Sequence, residues 1–251
     1  MPTLTPTPRL PLGDDTFLLV LTGAGVSADS GISTFRAAGG LWNDHKIEDV
    51  ASVDGFFRDP LLVWQFYGER RRDVAAAVPN AAHRALVAVE ERLGDRFLLA
   101  TQNVDGLHGR AGSRRLIELH GSLLRSRCTV CDRPPFADAG YTPGKVPICG
   151  RCHAAGRDAL IRPDVVWFGE LLPDGALARI ERFLDDAAAG RLLFLAIGTS
   201  GLVFPAAGLV DAVKARGGAT WLVNADAAAN DDRFDRVLRG GAGELIPALC
   251  S

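Results

Sequence analysis

Residues 17–36 of the chain read FLLVLTGAGVSADSGISTFR, and this stretch decides the fold. An apolar run ends at Thr22, and a glycine turn follows it directly. Gly23, Gly25 and Ala28 have the spacing G-x-G-x-x-A, which is typical of the turn that binds the phosphates of a dinucleotide. Glycine permits the tight turn, and the lack of a Cβ atom lets the backbone approach a pyrophosphate. The stretch therefore predicts a buried strand, a phosphate-binding turn and the start of a helix.

Apolar runs and amphipathic segments alternate along the rest of the chain. The predicted strands lie at residues 97–101, 116–119, 165–168, 192–197, 220–223 and 236–239. The predicted helices lie at residues 60–77, 81–93, 173–188, 205–216 and from 242 onward. Pro60 suits the first turn of a helix, and Asn80 suits a helix N-cap. This alternation predicts an α/β fold with a doubly wound parallel sheet of the Rossmann type.

Composition and charge exclude several broad classes of protein. The chain has 251 residues, of which 47% are hydrophobic and 23% charged, which is typical of a soluble globular protein with a sizeable core. The net charge of −2 gives no basic excess for general nucleic-acid binding. Residues 1–12 are rich in proline and threonine, so we expect a poorly ordered tail and no signal peptide. No apolar run approaches the roughly 18 residues of a membrane span, and we expect a cytoplasmic protein without membrane contact.

Four of the five cysteines form two close pairs. Cys128 and Cys131 make one C-x-x-C pair, Cys149 and Cys152 make the other, and seventeen residues separate the pairs. This spacing predicts a tetrahedral zinc site with four thiolate ligands and no open position, so the ion has a structural role. His153 in place of one cysteine is the alternative ligand. Contact between the zinc segment and nucleic acid is a competing function, but the segment has little aromatic interleaving.

Polar residues follow several predicted strands, at the edge where an open α/β sheet binds its ligands. Residues 102–105, Gln-Asn-Val-Asp, follow one strand, and His120 with a glycine after it ends the next. A neutral imidazole in such a place suits a general base near pH 7. Residues 198–200 and Asn224, with Asp226 beyond it, end two later strands. These side chains are candidates to hold a ribose, an amide or an adenosine, although the aspartate of 102–105 is also suited to cap the next helix.

The segment after the glycine turn departs from the pattern of an ordinary dehydrogenase. A dehydrogenase has an acidic residue about twenty residues on, at the end of a second strand, which binds the adenine ribose. Here the nearest acid is Asp44 in a predicted loop, and residues 30–36 form a loop that carries Phe35 and Arg36. The stretch GAGVSADSGISTFR instead resembles the signature of the sirtuins, a family of NAD-dependent protein-lysine deacylases. Ser33 replaces the proline usual in that family, a change that touches no chemistry.

The resemblance covers about residues 17–247 and implies a fold, a cofactor and a mechanism. It implies a single catalytic domain, with a Rossmann-type core at about 14–36, 95–124 and 160–251, a helical insertion at about 37–94 and a zinc-binding insertion at about 125–159. It implies that NAD contacts Gly23, Ala24, Gly25, Ser27, Ala28, Phe35, Arg36, Gln102, Asn103, Val104, Asp105, Gly198, Thr199, Ser200, Asn224, Asp226 and Ala242. It makes His120 the catalytic base, with Asn103 as the second catalytic residue. The implied products are free lysine, nicotinamide and O-acyl-ADP-ribose.

The resemblance also implies a peptide substrate. Residues 165–170, VVWFGE, match the family segment that pairs through its backbone with an extended acyl-lysine peptide. The substrate-binding residues that this match implies are Val165, Val166, Phe168, Gly169 and Glu170. Acyl-lysine proteins are therefore the expected partners, and the sequence does not indicate an oligomeric state.

Two residues of the helix predicted at 60–77 bear on the acyl group. Tyr67 and Arg70 stand at i and i+3, so both can face one pocket. They match the Tyr-x-x-Arg of the sirtuin subclass that removes succinyl and malonyl groups, and an arginine fork suits a carboxylate. A small residue at Ala38 fits the roomier acyl pocket of that subclass. The alternative is that the arginine run at 70–72 is a solvated face and the tyrosine an ordinary core residue.

Four other functions remain as alternatives to removal of acidic acyl groups. They are plain deacetylation, mono-ADP-ribosyl transfer to protein, hydride transfer by an NAD oxidoreductase, and a zinc module without enzymatic activity. The missing ribose acid counts against the oxidoreductase. Each alternative differs in its products, so an assay of NAD and peptide consumption separates them.

Overall fold

A parallel sheet forms the centre of the structure, a computed structural model that describes residues 8–33, 41–42, 45–138 and 142–251. The strands are β1 (Thr16–Thr22), β2 (Leu41–Trp42), β3 (His45–Lys46), β4 (Phe97–Thr101), β5 (Leu116–Glu118), β6 (Gly121–Cys128), β7 (Phe136–Ala137), β8 (Ile161–Val165), β9 (Arg191–Ile197), β10 (Ala219–Asn224) and β11 (Arg236–Arg239). The α-helices are α1 (Ile47–Val50), α2 (Val53–Arg58), α3 (Pro60–Ala76), α4 (Ala81–Leu93), α5 (Leu107–Ala111), α6 (Gly150–Ala154), α7 (Ala176–Asp186), α8 (Leu209–Lys214) and α9 (Ala242–Cys250). The six-stranded sheet has the order β11-β10-β9-β1-β4-β5.

Strand β1 lies in the middle of this sheet because its side chains are apolar on both faces. It pairs in parallel with β9 on one side and with β4 on the other. Leu19 and Leu21 belong to a core cluster with α7 and α8, whereas Leu18 and Val20 belong to a second cluster with α4 and α9. Successive side chains of a strand point to opposite faces, so a continuous apolar run is typical of a strand buried on both sides. The predicted doubly wound parallel sheet is confirmed.

The strand order places a ligand-binding crevice at β1. The chain builds β4 and β5 on one side of β1 and later builds β9, β10 and β11 on the other side. The connections after β1 and after β9 therefore lead away from each other. In open α/β sheets such a reversal leaves a crevice at the carboxyl ends of the strands. The crevice lies where the sequence places the glycine turn and residues 198–200.

The turn after β1 packs directly against the turn after β9. The backbone N–H of Gly25 donates to the carbonyl oxygen of Gly198 at 2.9 Å, and that of Gly23 donates to Ile197 at 2.9 Å. A Cβ atom on Gly25 would lie 2.6 Å from the Cα atom of Gly198, so a side chain does not fit there. Residues Ala24–Ser30 then form a 3₁₀ helix, which is tighter than the α-helix that a dinucleotide turn ordinarily begins.

A smaller module holds the cysteines and most of the aromatic residues. Its sheet is antiparallel, in the order β7-β6-β8, and α3 packs against β6 and β8. Trp64 and Phe66 of α3 share one buried cluster with Leu123, Ile161 and Cys152. The residues come from two segments that interrupt the α/β alternation, so a smaller helical and cysteine-bearing module is confirmed.

The segment predicted as a strand at 165–168 differs in the structure. Strand β8 ends at Val165, and the residues beyond it are held by single backbone hydrogen bonds. The N–H of Val166 donates to His120 at 2.9 Å, and that of Phe168 donates to Ala51 at 3.0 Å. The sequence also did not predict β6, because its mixed residues Gly121–Cys128 show no clean alternation. Strand β8, which ends where the predicted strand begins, pairs with the unpredicted strand β6.

The expectation of a poorly ordered tail up to residue 12 is wrong for its last residues. The N–H of Leu10 donates to the carbonyl oxygen of Leu249 at 2.9 Å, and its side chain is buried against α9. Leu12 is partly buried in the same cluster. Apolar residues between the prolines therefore dock this segment on the core. Among the residues that the structure describes, no helix is both long and apolar enough to cross a bilayer.

Candidate active site

A cavity of about 1560 Å³ opens at the carboxyl ends of the parallel strands. The predicted site residues that line it are Gly23, Ala24, Gly25, Ala28, Tyr67, Arg70, Gln102, Asn103, Val104, Asp105, His120, Val165, Val166, Phe168, Gly169, Glu170, Gly198, Thr199, Ser200, Asn224, Asp226 and Ala242. Ser27 is fully buried and contacts a lining residue instead. Phe35, Arg36 and Ala38 lie outside the described residues. The structure thus brings residues from widely separated predicted motifs to one cavity.

Asn103 and Asp105 are fixed by hydrogen bonds to the glycine turn. The Ser27 hydroxyl donates to Oδ2 of Asp105 at 2.7 Å. Nδ2 of Asn103 donates to the Ser27 hydroxyl at 3.1 Å and to the carbonyl oxygen of Gly23 at 3.2 Å. Oδ1 of Asp105 accepts from the N–H of Leu107 at 2.9 Å, so this aspartate also caps α5. Both alternatives for Asp105, a cleft residue and a helix cap, are true together.

His120 is half-buried at the cavity wall with one defined ring hydrogen bond. Its Nδ1 atom lies 3.0 Å from the carbonyl oxygen of Gln102. Burial lowers the pKa of His120, and the hydrogen bond to Gln102 offsets this only in part. Gly121 follows with φ of +78°, and a Cβ atom there would lie 2.1 Å from the carbonyl oxygen of Asp164. The glycine after the histidine is therefore required by the close pairing of β6 with β8.

Polar residues at three strand ends bond to one another along the cavity floor. Nε2 of Gln102 donates to Oγ1 of Thr199 at 3.1 Å. Nδ2 of Asn224 donates to the carbonyl oxygen of Thr199 at 2.9 Å. The backbone oxygen of Asp226 accepts from Arg239 at 3.0 Å. The first two contacts fix the side chains of Gln102 and Asn224 before a ligand binds. Less conformational entropy is then lost on binding.

Two further histidines, for which the sequence predicts no role, are fully buried. Nε2 of His108 lies 2.9 Å from Oγ1 of Thr22, which itself donates to Oγ1 of Thr101 at 2.8 Å. The ring of His83 lies 4.6 Å from that of His108. Burial, together with the neighbouring His83, lowers the pKa of His108 to about 3. Neither ring lines the cavity, so His120 is the one of these three histidines that reaches it.

Tyr67 and Arg70 face the cavity from α3, as their spacing predicts. The hydroxyl of Tyr67 accepts from Nε1 of Trp167 at 2.8 Å, and burial raises the pKa of this phenol above its usual range. Nη1 of Arg70 donates to the carbonyl oxygen of Phe66 at 2.9 Å and to Glu69 at 3.2 Å. Its Nε atom is buried without a hydrogen-bond partner in the part of the chain that the structure describes. A buried cationic donor without a partner is suited to an anionic ligand.

The arginine run beside Arg70 is not a uniform solvated face. Arg71 is buried, and its Nε donates to the carbonyl oxygen of Leu123 at 2.7 Å. Its Nη2 donates to the carbonyl oxygen of Arg125 at 3.0 Å, and its Nη1 forms an ion pair with Asp138 at 3.2 Å. Arg72 is exposed. The three arginines therefore have three roles, and Arg71 joins α3 to β6.

The segment after β8 is held from inside by residues that the sequence analysis missed. Arg162, buried in β8, donates to both carboxylate oxygens of Glu170, at 2.6 Å and 2.7 Å. Trp167 is buried as well, whereas Phe168 is exposed. The side chain of Glu170 is therefore turned toward Arg162. An arginine inside the strand, with a glutamate eight residues later, is the sequence signal that could have indicated this pair.

The four predicted cysteine ligands come together in the smaller module. The sulfur atoms of Cys128, Cys131, Cys149 and Cys152 all lie within 4.8 Å of one another. Cys128 Sγ accepts from the backbone N–H of Val130 at 3.3 Å and of Cys131 at 3.4 Å, which suits a thiolate. His153 is exposed and is not part of this group. The cluster could hold a structural zinc ion with four sulfur ligands.

Comparison with known proteins agrees with this geometry. A sequence model described as the Sir2 family matches residues 23–205. The NAD-dependent protein deacylase of Escherichia coli K12 is 45% identical over 232 residues, which span 92% of this chain and 79% of that protein. The protein of the same name from Yersinia pseudotuberculosis is 44% identical over 236 residues, 92% of this chain and 80% of its own length.

Solved structures give the same result. A Sir2 homologue in complex with NAD is 45% identical, has a TM-score of 0.82, and is matched over 93% of this chain and 87% of its own. Sir2Tm bound to a propionylated peptide is 30% identical, with a TM-score of 0.74 and coverage of 92% and 90%. The match of sequence and fold over most of the chain means that this protein belongs to the Sir2 family.

Proposed function

We propose that this protein removes acyl groups from lysine side chains of proteins with NAD as co-substrate, and that succinyl and malonyl groups are its favoured substrates. The products are free lysine, nicotinamide and O-acyl-ADP-ribose. The names of the relatives support NAD-dependent deacylation, and the Sir2Tm complex supports a peptide substrate. The preference for acidic acyl groups is supported by this chain's own cavity, through the Nε atom of Arg70, which is buried and has no hydrogen-bond partner among the described residues.

The cavity fits NAD in size and in chemistry. Its volume of about 1560 Å³ exceeds the roughly 300–1,000 Å³ of an ordinary small-molecule site, so a dinucleotide and an acyl-lysine side chain can share it. The close packing of Gly25 on Gly198 exposes two backbone turns to the same crevice, where no side chain blocks a diphosphate. Asn103, Asp105 and Asn224 line the same cavity. We assign the first two to the nicotinamide and its ribose and Asn224 to the adenosine.

When NAD is bound, it would supply a leaving nicotinamide and a ribose that accepts the acyl group. The protein's residues orient these groups and move a proton. A carbonyl oxygen only accepts hydrogen bonds, so the bond to Gln102 requires the hydrogen of His120 on Nδ1. Nε2 of the neutral ring then carries the lone pair and takes a proton from a ribose hydroxyl. The bonds from Asn103 to Ser27 and Gly23 hold the amide in one orientation while this happens.

The pair of Tyr67 and Arg70 supports recognition of a carboxylate at the end of the acyl chain. Arg70 is only 14% exposed in its side chain, so water screens its charge weakly. Its Nη1 atom is held by the carbonyl oxygen of Phe66, which fixes the plane of the guanidinium. A succinyl or malonyl carboxylate would satisfy the Nε atom, whereas an acetyl group would leave it unpaired.

The cysteines support a cellular location. Four of them cluster as thiols suited to a metal, an arrangement that needs a reducing compartment. We therefore propose a cytoplasmic enzyme that acts on acylated proteins rather than on membranes or nucleic acids.

The test is an assay with NAD and three versions of one lysine peptide, which carry acetyl, succinyl or malonyl groups. Mass spectrometry follows the peptide, and chromatography follows nicotinamide. Faster loss of succinyl and malonyl groups with equal release of nicotinamide supports the proposal. Loss of the acetyl group alone leaves an NAD-dependent deacetylase, and ADP-ribose attached to protein indicates the transferase instead.

A further inference from the structure

The segment that follows β8 is fastened to the protein by one buried guanidinium. Arg162 is 5% exposed and donates to both carboxylate oxygens of Glu170. Its Nη2 atom also donates to the carbonyl oxygen of Val165 at 2.7 Å. The beginning and the end of the segment 165–170 are thus tied to the same side chain. Paired charges of this kind have a fixed geometry, because the arginine fork and the carboxylate are both planar.

The same guanidinium positions Trp167. The guanidinium carbon of Arg162 lies 3.4 Å from the centroid of the Trp167 ring, and the backbone N–H of Trp167 donates to Glu170 at 2.9 Å. Phe56 packs on the same indole, with ring centroids 5.4 Å apart. Trp167 is therefore buried with a defined ring plane, while Phe168 beside it is exposed and lines the cavity.

The indole of Trp167 reaches Tyr67, one hundred residues earlier in the chain. Nε1 donates to the Tyr67 hydroxyl at 2.8 Å. An indole N–H can only donate, so the phenol oxygen accepts at this contact and its own hydrogen is directed elsewhere. Burial keeps the phenol protonated, because it raises the pKa of Tyr67. The indole thus orients the hydroxyl, which stays protonated on the same helix that carries Arg70.

We propose that Trp167, held in place by Arg162, is a positioning residue that aims the Tyr67 hydroxyl at the carboxylate of the acyl group. This inference rests on the proposed preference for succinyl and malonyl lysine. In this proposal the backbone of the segment 165–170 binds the peptide. The buried indole of Trp167 contributes to recognition of the acyl chain through Tyr67. Acyl selectivity then depends on a residue that does not contact the carboxylate.

The test compares the wild type with Trp167→Phe, which keeps an aromatic ring over Arg162 and removes the N–H donor. The readout is the ratio of kcat/KM for the succinyl peptide to kcat/KM for the acetyl peptide of the same sequence. We expect this ratio to fall about five- to tenfold, mostly through a higher KM for the succinyl peptide. A purely structural role would change kcat/KM for both peptides by the same factor and leave the ratio unchanged.

A matched control is Trp64→Phe. Trp64 is also fully buried in the smaller module, and its Nε1 donates to the carbonyl oxygen of Ile161 at 2.9 Å. The variant therefore loses the same kind of hydrogen bond, but the partner that it loses is Ile161 and not Tyr67. We expect a lower unfolding temperature for Trp64→Phe and the acyl ratio of the wild type.

A double-mutant cycle with Tyr67→Phe completes the test. Tyr67→Phe should lower the same ratio, and Trp167→Phe should lower it no further in that background, since the two residues act through one hydroxyl. The Tyr67→Phe variant also tests the hydroxyl if Trp167→Phe does not fold. A wild type that prefers succinyl peptides, together with an unchanged ratio in Trp167→Phe or additive effects, overturns this inference alone. A wild type without that preference overturns the proposed acyl preference and this inference with it.

Discussion

The Nδ1 atom of His120 lies 3.0 Å from the carbonyl oxygen of Gln102, at the end of the neighbouring strand. This contact fixes the tautomer, because a carbonyl oxygen cannot donate. Burial favours the neutral ring and lowers its pKa from the usual 6.5. The structure thus holds an imidazole whose Nε2 atom is an acceptor throughout the neutral pH range.

This geometry predicts the pH dependence of turnover. The neutral form of His120 is the active one, so activity should be lost as the pH falls through its pKa and should be flat above it. Because that pKa is lowered, the midpoint of the acid limb should lie below 6.5. Steady-state turnover of an acylated peptide between pH 5 and 8, at saturating NAD, measures it. An acid limb centred above 6.5 would contradict the assignment.

Replacement of His120 by alanine should separate binding from chemistry. We expect NAD affinity to remain near that of the wild type, since the glycine turn and the side chains of Asn103 and Asn224 are untouched. Turnover should fall by about 10²- to 10⁴-fold, the usual contribution of a positioned base. Calorimetric titration with NAD and an assay of nicotinamide release give the two numbers. The exposed His153 is the control, and His153→Ala should keep its turnover.

Much of the fold and the cavity could be predicted from the sequence because both depend on local pattern. The run 17–21 is apolar at every position, which is the pattern of a strand covered on both faces. The polar residues 102–105 and His120 follow such strands directly, and parallel strands bring their carboxyl ends to one edge. The four cysteines were found for the same reason, since ligand spacing is a local property.

The contacts that connect Tyr67 to the segment 165–170 could not be predicted in this way. Trp167 meets Tyr67 across one hundred residues, and the periodicity of either segment gives no sign of it. Strand β6 was missed because two of its polar residues, Ser122 and Ser126, are buried, whereas Leu124 is exposed. Ser126, for example, is fully buried and donates to Asp138 at 2.6 Å. Tertiary partners decide such positions, and local propensity does not.

Arg70→Met should reduce removal of acidic acyl groups selectively. Methionine keeps the unbranched apolar stem and removes the charged donor that we propose for the carboxylate. A hydrogen bond to a charged group contributes about 1.5–3 kcal/mol, so kcat/KM for the succinyl peptide should fall by about 10- to 100-fold relative to the acetyl peptide. Arg72→Met, two residues on and exposed, is the matched control and should not change the ratio. Equal losses for both peptides would rule out a carboxylate-binding role for Arg70.

The cysteine cluster predicts one structural zinc ion per chain. Cys152→Ser should remove the metal and lower the unfolding temperature, because the cluster joins the end of β6 to α6 in the smaller module. Cys250→Ser serves as the control, since that cysteine lies at the end of α9 and outside the cluster. Plasma mass spectrometry should find zinc in the wild type and in Cys250→Ser but not in Cys152→Ser. Zinc retained by Cys152→Ser would contradict the four-sulfur site.

The buried His108 predicts a loss of stability in mild acid. Its pKa is about 3 in the folded protein and near 6.5 when unfolded, so the unfolded chain binds a proton that the folded one does not. The contribution of His108 to the free energy of unfolding should therefore be fully present above pH 6.5. As the pH falls from 6.5 to about 3, the free energy of unfolding should decrease by up to about 1.4 kcal/mol per pH unit. His83, whose pKa burial also lowers, adds in the same direction.

Urea unfolding of the wild type and His108→Gln at pH 7 and pH 5 isolates this contribution. Glutamine can still bond to Thr22 but does not titrate, and carboxylates contribute equally in both proteins. Between pH 7 and pH 5 the wild type should lose about 2 kcal/mol more than His108→Gln, since about 1.5 pH units lie below 6.5 in that interval. Equal losses in the wild type and His108→Gln would mean that His108 is protonated in the folded protein.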